Sequence, residues 1–211
     1  MALTVPYAST TKHVTTNGIM EEKRIVKQQV KSWAHLNGEV SNQMDYHLYH
    51  GSRHIFNQVD LAKAKPYKDF GRGFYLAQDK KDAITMAIKN SPIGFVYTYA
   101  ISANQLNQLS CLEFEGGYSM AWLDFITKCR NSYNSPHKYD VVIGATADGK
   151  TKEIFKNCPA SFFKISKYKQ SILREVSKGV FDIQYLFNTQ KAIESLRLIE
   201  VEEYERESKA A

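Results

Sequence analysis

The chain has 211 residues, 43% of them hydrophobic and 24% charged, a balance that supports a packed core and excludes a disordered polypeptide. Thirteen Tyr and eleven Phe against two Trp favour a strand-rich interior, because aromatic side chains suit a pleated, half-buried surface. The formal net charge of +6 fits an anionic ligand, a nucleic-acid surface or a merely basic exterior, so charge by itself selects no function.

Residues 1–18 are rich in Thr and Ser without a period and read as a mobile tail. Residues 19–43 read as a helical extension. Ile25, Val26, Gln29, Val30 and Trp33 fall on one stripe between Met20 and Leu36, and Asn37-Gly38 ends it. Such a helix packs on the main domain or docks a partner. The main domain is expected over residues 44–205, with 206–211 as a short tail. Tyr46–Gly51 alternates like a strand, and a long polar segment punctuated by Pro66, Gly71 and Gly73 follows as a functional loop.

Asp79 is placed to cap a helix reaching Asn90, with Ala83, Met86, Ala87 and Ile88 as its apolar side. Phe95–Ile101 is β-prone, and Ser119–Cys129 reads as a helix facing inward through Ala121, Trp122, Phe125 and Ile126. Tyr139–Ala147 is a buried strand closed by the turn pair Asp148-Gly149, and Phe162–Ser177 is helical. Val180–Thr189 reads as a strand, Gln190–Leu196 as a short helix and Leu198–Tyr204 as a closing strand. The mixed order, without repeats or an internal linker, gives an α+β fold.

Cys111, Cys129 and Cys158 share no CxxC or Cys/His metal spacing, so reduced thiols without zinc or disulfide are expected. No stretch approaches the ~20 apolar residues that cross a bilayer, and the first residues lack the apolar core of a secretory signal. A cytoplasmic protein with no membrane partner is the expectation, with export by a signal-less route left open.

Three segments carry chemistry. In Leu48-Tyr49-His50-Gly51-Ser52, a His near a strand end is followed by a Gly that admits close backbone approach. His50 can offer a ring N–H to a ligand or serve as a structural histidine. In Asp69-Phe70-Gly71-Arg72-Gly73-Phe74-Tyr75-Leu76, two glycines permit a sharp turn while Phe74 and Tyr75 supply apolar faces. The spacing is not GxGxxG before a helix, so a Rossmann site is excluded. In Asp182–Thr189, alternation sets Asp182, Gln184 and Leu186 on one strand face. Gln184 is therefore either a site amide or an edge residue facing water. Arg53, Lys65, Lys68 and Arg72 lie near these motifs as pyrophosphate or nucleic-acid ligands, or as a solvated loop, Arg53 being preferred for the pyrophosphate.

Read together, LYHGS, DFGRGFYLA, YDVVIGATADG and QYLFNTQKAIESL resemble the ADP-ribosyltransferase superfamily, on the His-Tyr branch of diphtheria toxin and the poly(ADP-ribose) polymerases. They resemble more closely a little-characterised bacterial family with the same motif order, over about Met44 to Tyr204. The resemblance implies a split β-sheet core with helices and NAD⁺ as co-substrate, with no metal. It implies that His50 hydrogen-bonds the nicotinamide ribose and that Gly51 holds the carboxamide, with Ser52 and Arg53 beside them. Tyr75 would stack on the nicotinamide ring, with Phe74 or a later aromatic closing the slot. The chain departs from polymerising relatives at Gln184, where they carry Glu. An amide can bind a ribose hydroxyl but cannot take its proton near neutral pH.

The expected activity is therefore NAD-dependent mono-ADP-ribosyl transfer, a glycosyltransferase reaction, to a protein or nucleic-acid acceptor. A bacterial toxin or effector with an antitoxin or regulatory partner would fit it. A catalytically silent NAD⁺ or ADP-ribose binding module is the alternative, and a partner protein with a vestigial pocket is a third reading.

Overall fold

The computed structural model describes residues 13–16, 19–26, 45–115, 117–147, 153, 166–177 and 181–206. Within them, largely antiparallel strands alternate irregularly with short helices, the α+β arrangement expected from the mixed order. By internal contacts the chain divides into two compact units. One takes the described residues of Met1–Gln58, Asp79–Leu106 and Ser195–Ala211, and the other those of Val59–Gln78 and Asn107–Glu194. Because the chain passes between the units more than once, no single composition-biased linker announces the division.

The first unit holds β1 (His13–Thr16), β2 (Ile19–Val26), β3 (Asp45–Ser52), β5 (Ile93–Ser102) and β9 (Arg197–Glu205), with α1 (Lys80–Ile88) and α2 (Ala103–Asn107). Its strands neighbour one another antiparallel in the order β1-β2-β9-β5-β3. Strand β5 is buried from Val96 to Ile101, as its aromatic and β-branched run demands. Asp79 caps α1, its carboxylate accepting from Lys81 N at 2.8 Å.

The fully buried residues of α1 are small, Ala83 and Ala87, and they meet glycines on the strands. A Cβ on Gly51 would lie 1.9 Å from Ala83 O, and one on Gly94 would lie 2.5 Å from the carbonyl of Ala87. Helix and sheet thus touch backbone to backbone. Met86, expected on the apolar side, is 56% exposed, whereas Ile84 and Ile88 pack partly buried beside the two alanines. At the start of the helix, Lys80 makes an ion pair with Glu202 of β9, whose side chain is fully buried. Tyr204 Oη donates to the same carboxylate oxygen at 3.4 Å. Lys80 Nζ also lies 5.8 Å from the Tyr49 ring centroid. A buried carboxylate persists only with such a partner.

The second unit holds β4 (Phe74–Ala77), β6 (Cys111–Glu113), β7 (Val141–Ala145) and β8 (Ile183–Phe187). Its helices are α3 (Met120–Arg130), α4 (Ser166–Val176) and α5 (Gln190–Glu194). The strands follow the order β4-β8-β7-β6, antiparallel except for the parallel pair β6/β7. Every residue of β7 is buried, which accounts for its unbroken apolar run. Ser119 caps α3 by accepting from Trp122 N at 3.1 Å. The buried side of α3 is Trp122, Leu123, Ile126 and Cys129, the first three clustered with Phe70, Val142 and Leu186 and with Ile172 and Val176 of α4. Trp122 Nε1 donates to Ala145 O at 2.9 Å, which satisfies the indole where water is excluded.

Three further expectations are corrected. Met20–Leu36 is not helical at its start, since Ile19–Val26 is strand, with Lys23 to Val26 opposite Tyr204 to Val201 of β9. The 3.6-residue stripe is real but short, and pairing to an available strand edge overrides local helical preference. The rest of that span lies outside the described residues. Residues 1–18 are not all tail, because His13–Thr16 pairs with β2. Ala121 is exposed, and Leu123 and Cys129 fill the core in its place. Asp148-Gly149 lies outside the described residues, as does Cys158.

The backbone approach at Gly94 yields a stability test. Gly94→Ala should destabilise the protein by about 1–3 kcal/mol in urea unfolding, because the new methyl must push α1 from the sheet. Exposed Met86→Ala should shift stability by less than about 0.5 kcal/mol.

Candidate functional site

The DFGRG segment is a tight, glycine-dependent turn. Gly71 and Gly73 have φ of 98° and 156°, and a Cβ at Gly71 would fall 2.5 Å from Ser135 Oγ. Ser135 Oγ accepts from Arg72 N at 2.9 Å, and it lies 3.1 Å from Arg72 O and 3.0 Å from Asn188 Oδ1. His137 Nε2 sits 2.7 Å from Phe70 O. A carbonyl only accepts, so Nε2 carries a proton, and burial lowers the imidazole's pKa from its ordinary value.

Asp69, at the head of this motif, gathers three distant parts of the unit. Its Oδ1 accepts from Arg130 Nε at 2.8 Å and from the second guanidinium nitrogen at 2.5 Å. Its Oδ2 accepts from Ala147 N at 3.0 Å and from Gln184 Nε2 at 3.0 Å. The two side chains of the ion pair are 15% and 20% exposed, so water competes weakly with these bonds.

Strand register places the motif residues. Tyr75 stands opposite Leu186 and Ala77 opposite Gln184, while Gly144 of β7 flanks Gln184 on its other side. Directly paired residues share a face, so Tyr75 and Gln184 lie on the same face of the strands, the face that carries Leu186. The Tyr75 hydroxyl donates to Gly71 O at 2.7 Å and accepts from Phe70 N at 3.0 Å. Burial raises its pKa well above the usual tyrosine value, chiefly against the backbone bond from Phe70, so the phenol stays protonated. Phe74, 8% exposed, points to the opposite face of β4 from Tyr75. Gln184 gives its amide N–H to Asp69. A carboxylate cannot donate, so the amide oxygen is the end turned away from Asp69.

The remaining motif belongs to the first unit. His50 lies opposite Tyr97 on β3, its ring edge-on to Phe56 at 5.7 Å. Phe56 stacks on Tyr97 at 4.1 Å, and the Tyr97 hydroxyl accepts from Phe56 N at 2.6 Å and donates to Phe56 O at 3.0 Å. Burial pushes that hydroxyl's pKa up. Gly51 is held by the approach of α1. Ser52 Oγ donates to His54 O at 2.7 Å, and Arg53 beside it is exposed. Arg72 spends its guanidinium on Ala64 O and Ala62 O, both at 3.0 Å, so two of its donors fasten the loop's own turn.

Sequence reading misses Asp69 as a junction, and with it Arg130, Ser135 and His137. It also misses Asp140, whose carboxylate accepts from Thr189 Oγ1 at 2.6 Å and from Ser110 N at 2.9 Å. Asp69 stands first in its motif, but its partners are 61 to 115 residues away and leave no local signal. Of the cysteines, Cys111 is exposed, whereas Cys129 is buried and its thiol is pushed up to about 12 by that burial. Among the described residues no group of three or more His, Cys, Asp or Glu is placed to hold a metal ion. No helix among them is long and apolar enough to cross a membrane.

Fold and site together define an α+β protein in which a glycine-rich turn and a glutamine strand are joined through one aspartate. The chain belongs to the family described as "Protein of unknown function (DUF3990)", which matches it over residues 46–198. Neither the curated proteins nor the solved structures include a match to it.

Asp140 gives a pH test. The Thr189 hydroxyl first, then the Ser110 amide, holds its carboxyl below the ordinary aspartate value. A depressed folded-state pKa contributes stability that is present above the unfolded value of about 3.9 and is lost as pH falls through the folded one. Asp140→Asn should therefore be less stable at pH 7 by about 1 kcal/mol, and its stability should fall less steeply than the parent's below about pH 5. Denaturant midpoints from pH 7 to pH 3 check this, and parallel curves would contradict it.

Proposed function

We propose that this protein is an NAD-dependent mono-ADP-ribosyltransferase, cleaving the nicotinamide-ribose bond and passing ADP-ribose to a protein or nucleic-acid acceptor. The observation that carries the reading is the order of four motifs, LYHGS, DFGRGFYLA, YDVVIGATADG and QYLFNTQKAIESL, resembling the His-Tyr branch of the ADP-ribosyltransferases. The finer fold reading, an ADP-ribosyltransferase-like split sheet, rests on the same resemblance. The shared face of Tyr75 and Gln184 supports it, because two of the three motif positions then act from one side of adjacent strands.

In this reading His50 donates to the nicotinamide ribose, Gly51 presents backbone groups to the carboxamide, and Ser52 and Arg53 face the ribose and pyrophosphate. Tyr75 offers its ring, with its hydroxyl already committed to Gly71 and Phe70. Gln184 offers its amide oxygen to a ribose hydroxyl, because its N–H is turned to Asp69. As the glycosidic bond breaks, positive charge builds on the ribose. Rate then comes from holding a strained, water-poor geometry rather than from a base at Gln184. The acceptor must supply its own nucleophile, which favours single transfers over chain growth. A toxin or effector acting in the cytoplasm, restrained by an antitoxin, is the biological setting this reading implies.

The commitment of the Gln184 N–H to Asp69 also favours a second reading, a module that binds NAD⁺ or ADP-ribose without reacting it. Nicotinamide release, with mass spectrometry of modified acceptors in a lysate, separates the two. The transferase reading expects single ADP-ribose units and at least about a tenfold loss of release in His50→Ala and Gln184→Ala. Gln184→Glu, with a carboxylate able to activate water, should raise NAD⁺ hydrolysis. NAD⁺ binding without nicotinamide release would leave the silent module. Polymeric products, or full activity in folded Gln184→Ala, would contradict the proposed roles.

A further inference from the structure

Around the DFGRG turn, the second unit carries a surface that the proposed NAD⁺ contacts do not use. Tyr67 and Tyr133 are 55% and 59% exposed, and their rings meet edge to face with centroids 6.2 Å apart. The Arg72 guanidinium carbon lies 5.4 Å from the Tyr133 ring centroid. Tyr67 follows Pro66 and holds a φ of 60°, a left-handed conformation that a bulky side chain seldom adopts. Two large aromatics kept in water, one of them on a strained backbone, gain nothing for the core.

Their surroundings are basic. Lys63, Lys65 and Lys68 are exposed on the same loop. The loop's two acids are both engaged, Asp60 with Lys63 at 3.4 Å and Asp69 with Arg130. Residues 131–139 contain no acid at all. At the far end of that stretch lies an open cavity of about 490 Å³, lined by Phe125, Lys128, His137, Lys138 and Tyr139 among others. The His137 ring is flanked by Phe125 at 5.1 Å and Tyr139 at 5.7 Å, and these three rings line the cavity together with the exposed Lys128 and Lys138. Ser135 and His137 tie this stretch to residues 70–72, so both features belong to one fixed loop. From Tyr133 to Lys138 the chain can span at most roughly 17 Å, at about 3.3–3.6 Å per residue.

We propose that this surface binds single-stranded nucleic acid, with one base stacking on the Tyr67–Tyr133 pair and another entering the lysine-flanked cavity. Exposed rings interleaved with lysines match a strand whose base faces are free and whose backbone is anionic. A duplex hides those faces, and an acidic peptide would use the lysines but not the rings. The inference is independent of the transferase reading, since it concerns binding without NAD⁺.

The test is fluorescence anisotropy of the full chain with labelled oligo-dT and oligo-U of about twelve nucleotides, a hairpin duplex and poly-glutamate, over a salt series. Tighter binding of a single strand than of the hairpin or poly-glutamate is expected. Tyr67→Ala with Tyr133→Ala should weaken it about tenfold or more, while Tyr67→Phe with Tyr133→Phe should retain it. Lys128→Ser with Lys138→Ser should reduce the slope of log affinity against log salt by about 1.4, or ~0.7 for each phosphate no longer neutralised. Circular dichroism checks the fold of each variant. Failure of either single strand to bind at low salt, equal affinity for poly-glutamate, or an unchanged salt slope in the lysine variant would overturn the proposal.

Discussion

A single carboxylate, that of Asp69, joins the end of helix α3, the segment after strand β7 and the glutamine of strand β8. Arg130 is 20% exposed and carries a charge that is costly to leave unpaired, and the Ala147 amide follows a wholly buried strand. Arg130 also donates to Ala147 O at 3.1 Å, so the aspartate and the arginine hold both backbone groups of that residue. The glycines that follow Asp69 let the chain leave this junction in a sharp turn, and the Tyr75 hydroxyl then grips the turn from the next strand.

The consequence for chemistry is one of orientation. An amide side chain has two ends with opposite hydrogen-bonding character, and a carboxylate accepts only from the nitrogen. Asp69 therefore decides which end of Gln184 is committed and which is presented. In the first unit the corresponding constraint is steric. Gly51, the residue after His50, has no side chain because α1 occupies that space with the Ala83 carbonyl. Whatever its part in binding, Gly51 is also required by packing, so its presence in the LYHGS motif has a structural cause of its own.

Much of the fold is legible because its signals are local. Asp79 announces its helix through capping, the apolar spacing after Ser119 announces α3, and the runs around Phe95–Ile101 and Val141–Ala145 announce buried strands. The strand at Ile19–Val26 reads as a helix because its pairing to β9 spans nearly the whole chain, while its apolar spacing briefly imitates a helical stripe. Strand β4 is hidden within an apparent loop, since four residues after a glycine turn offer too short a pattern to read. Of the candidate site, the motif positions can be named from sequence, but their bonding cannot. That Tyr75 and Gln184 share a face follows only from the register of β4 on β8, and that Arg72 fastens its own loop follows only from the placement of Ala62 and Ala64.

Asp69 holds Gln184 directly rather than merely stabilising the same unit. A double-mutant cycle on unfolding free energy, with Asp69→Ala, Gln184→Ala and the pair, measures that link with no assumption about ligand. The expected coupling energy is about 1–2 kcal/mol, the range for a poorly solvated hydrogen bond to a charged group. Additive losses, with coupling below about 0.3 kcal/mol, would contradict it and leave Gln184 without its anchor.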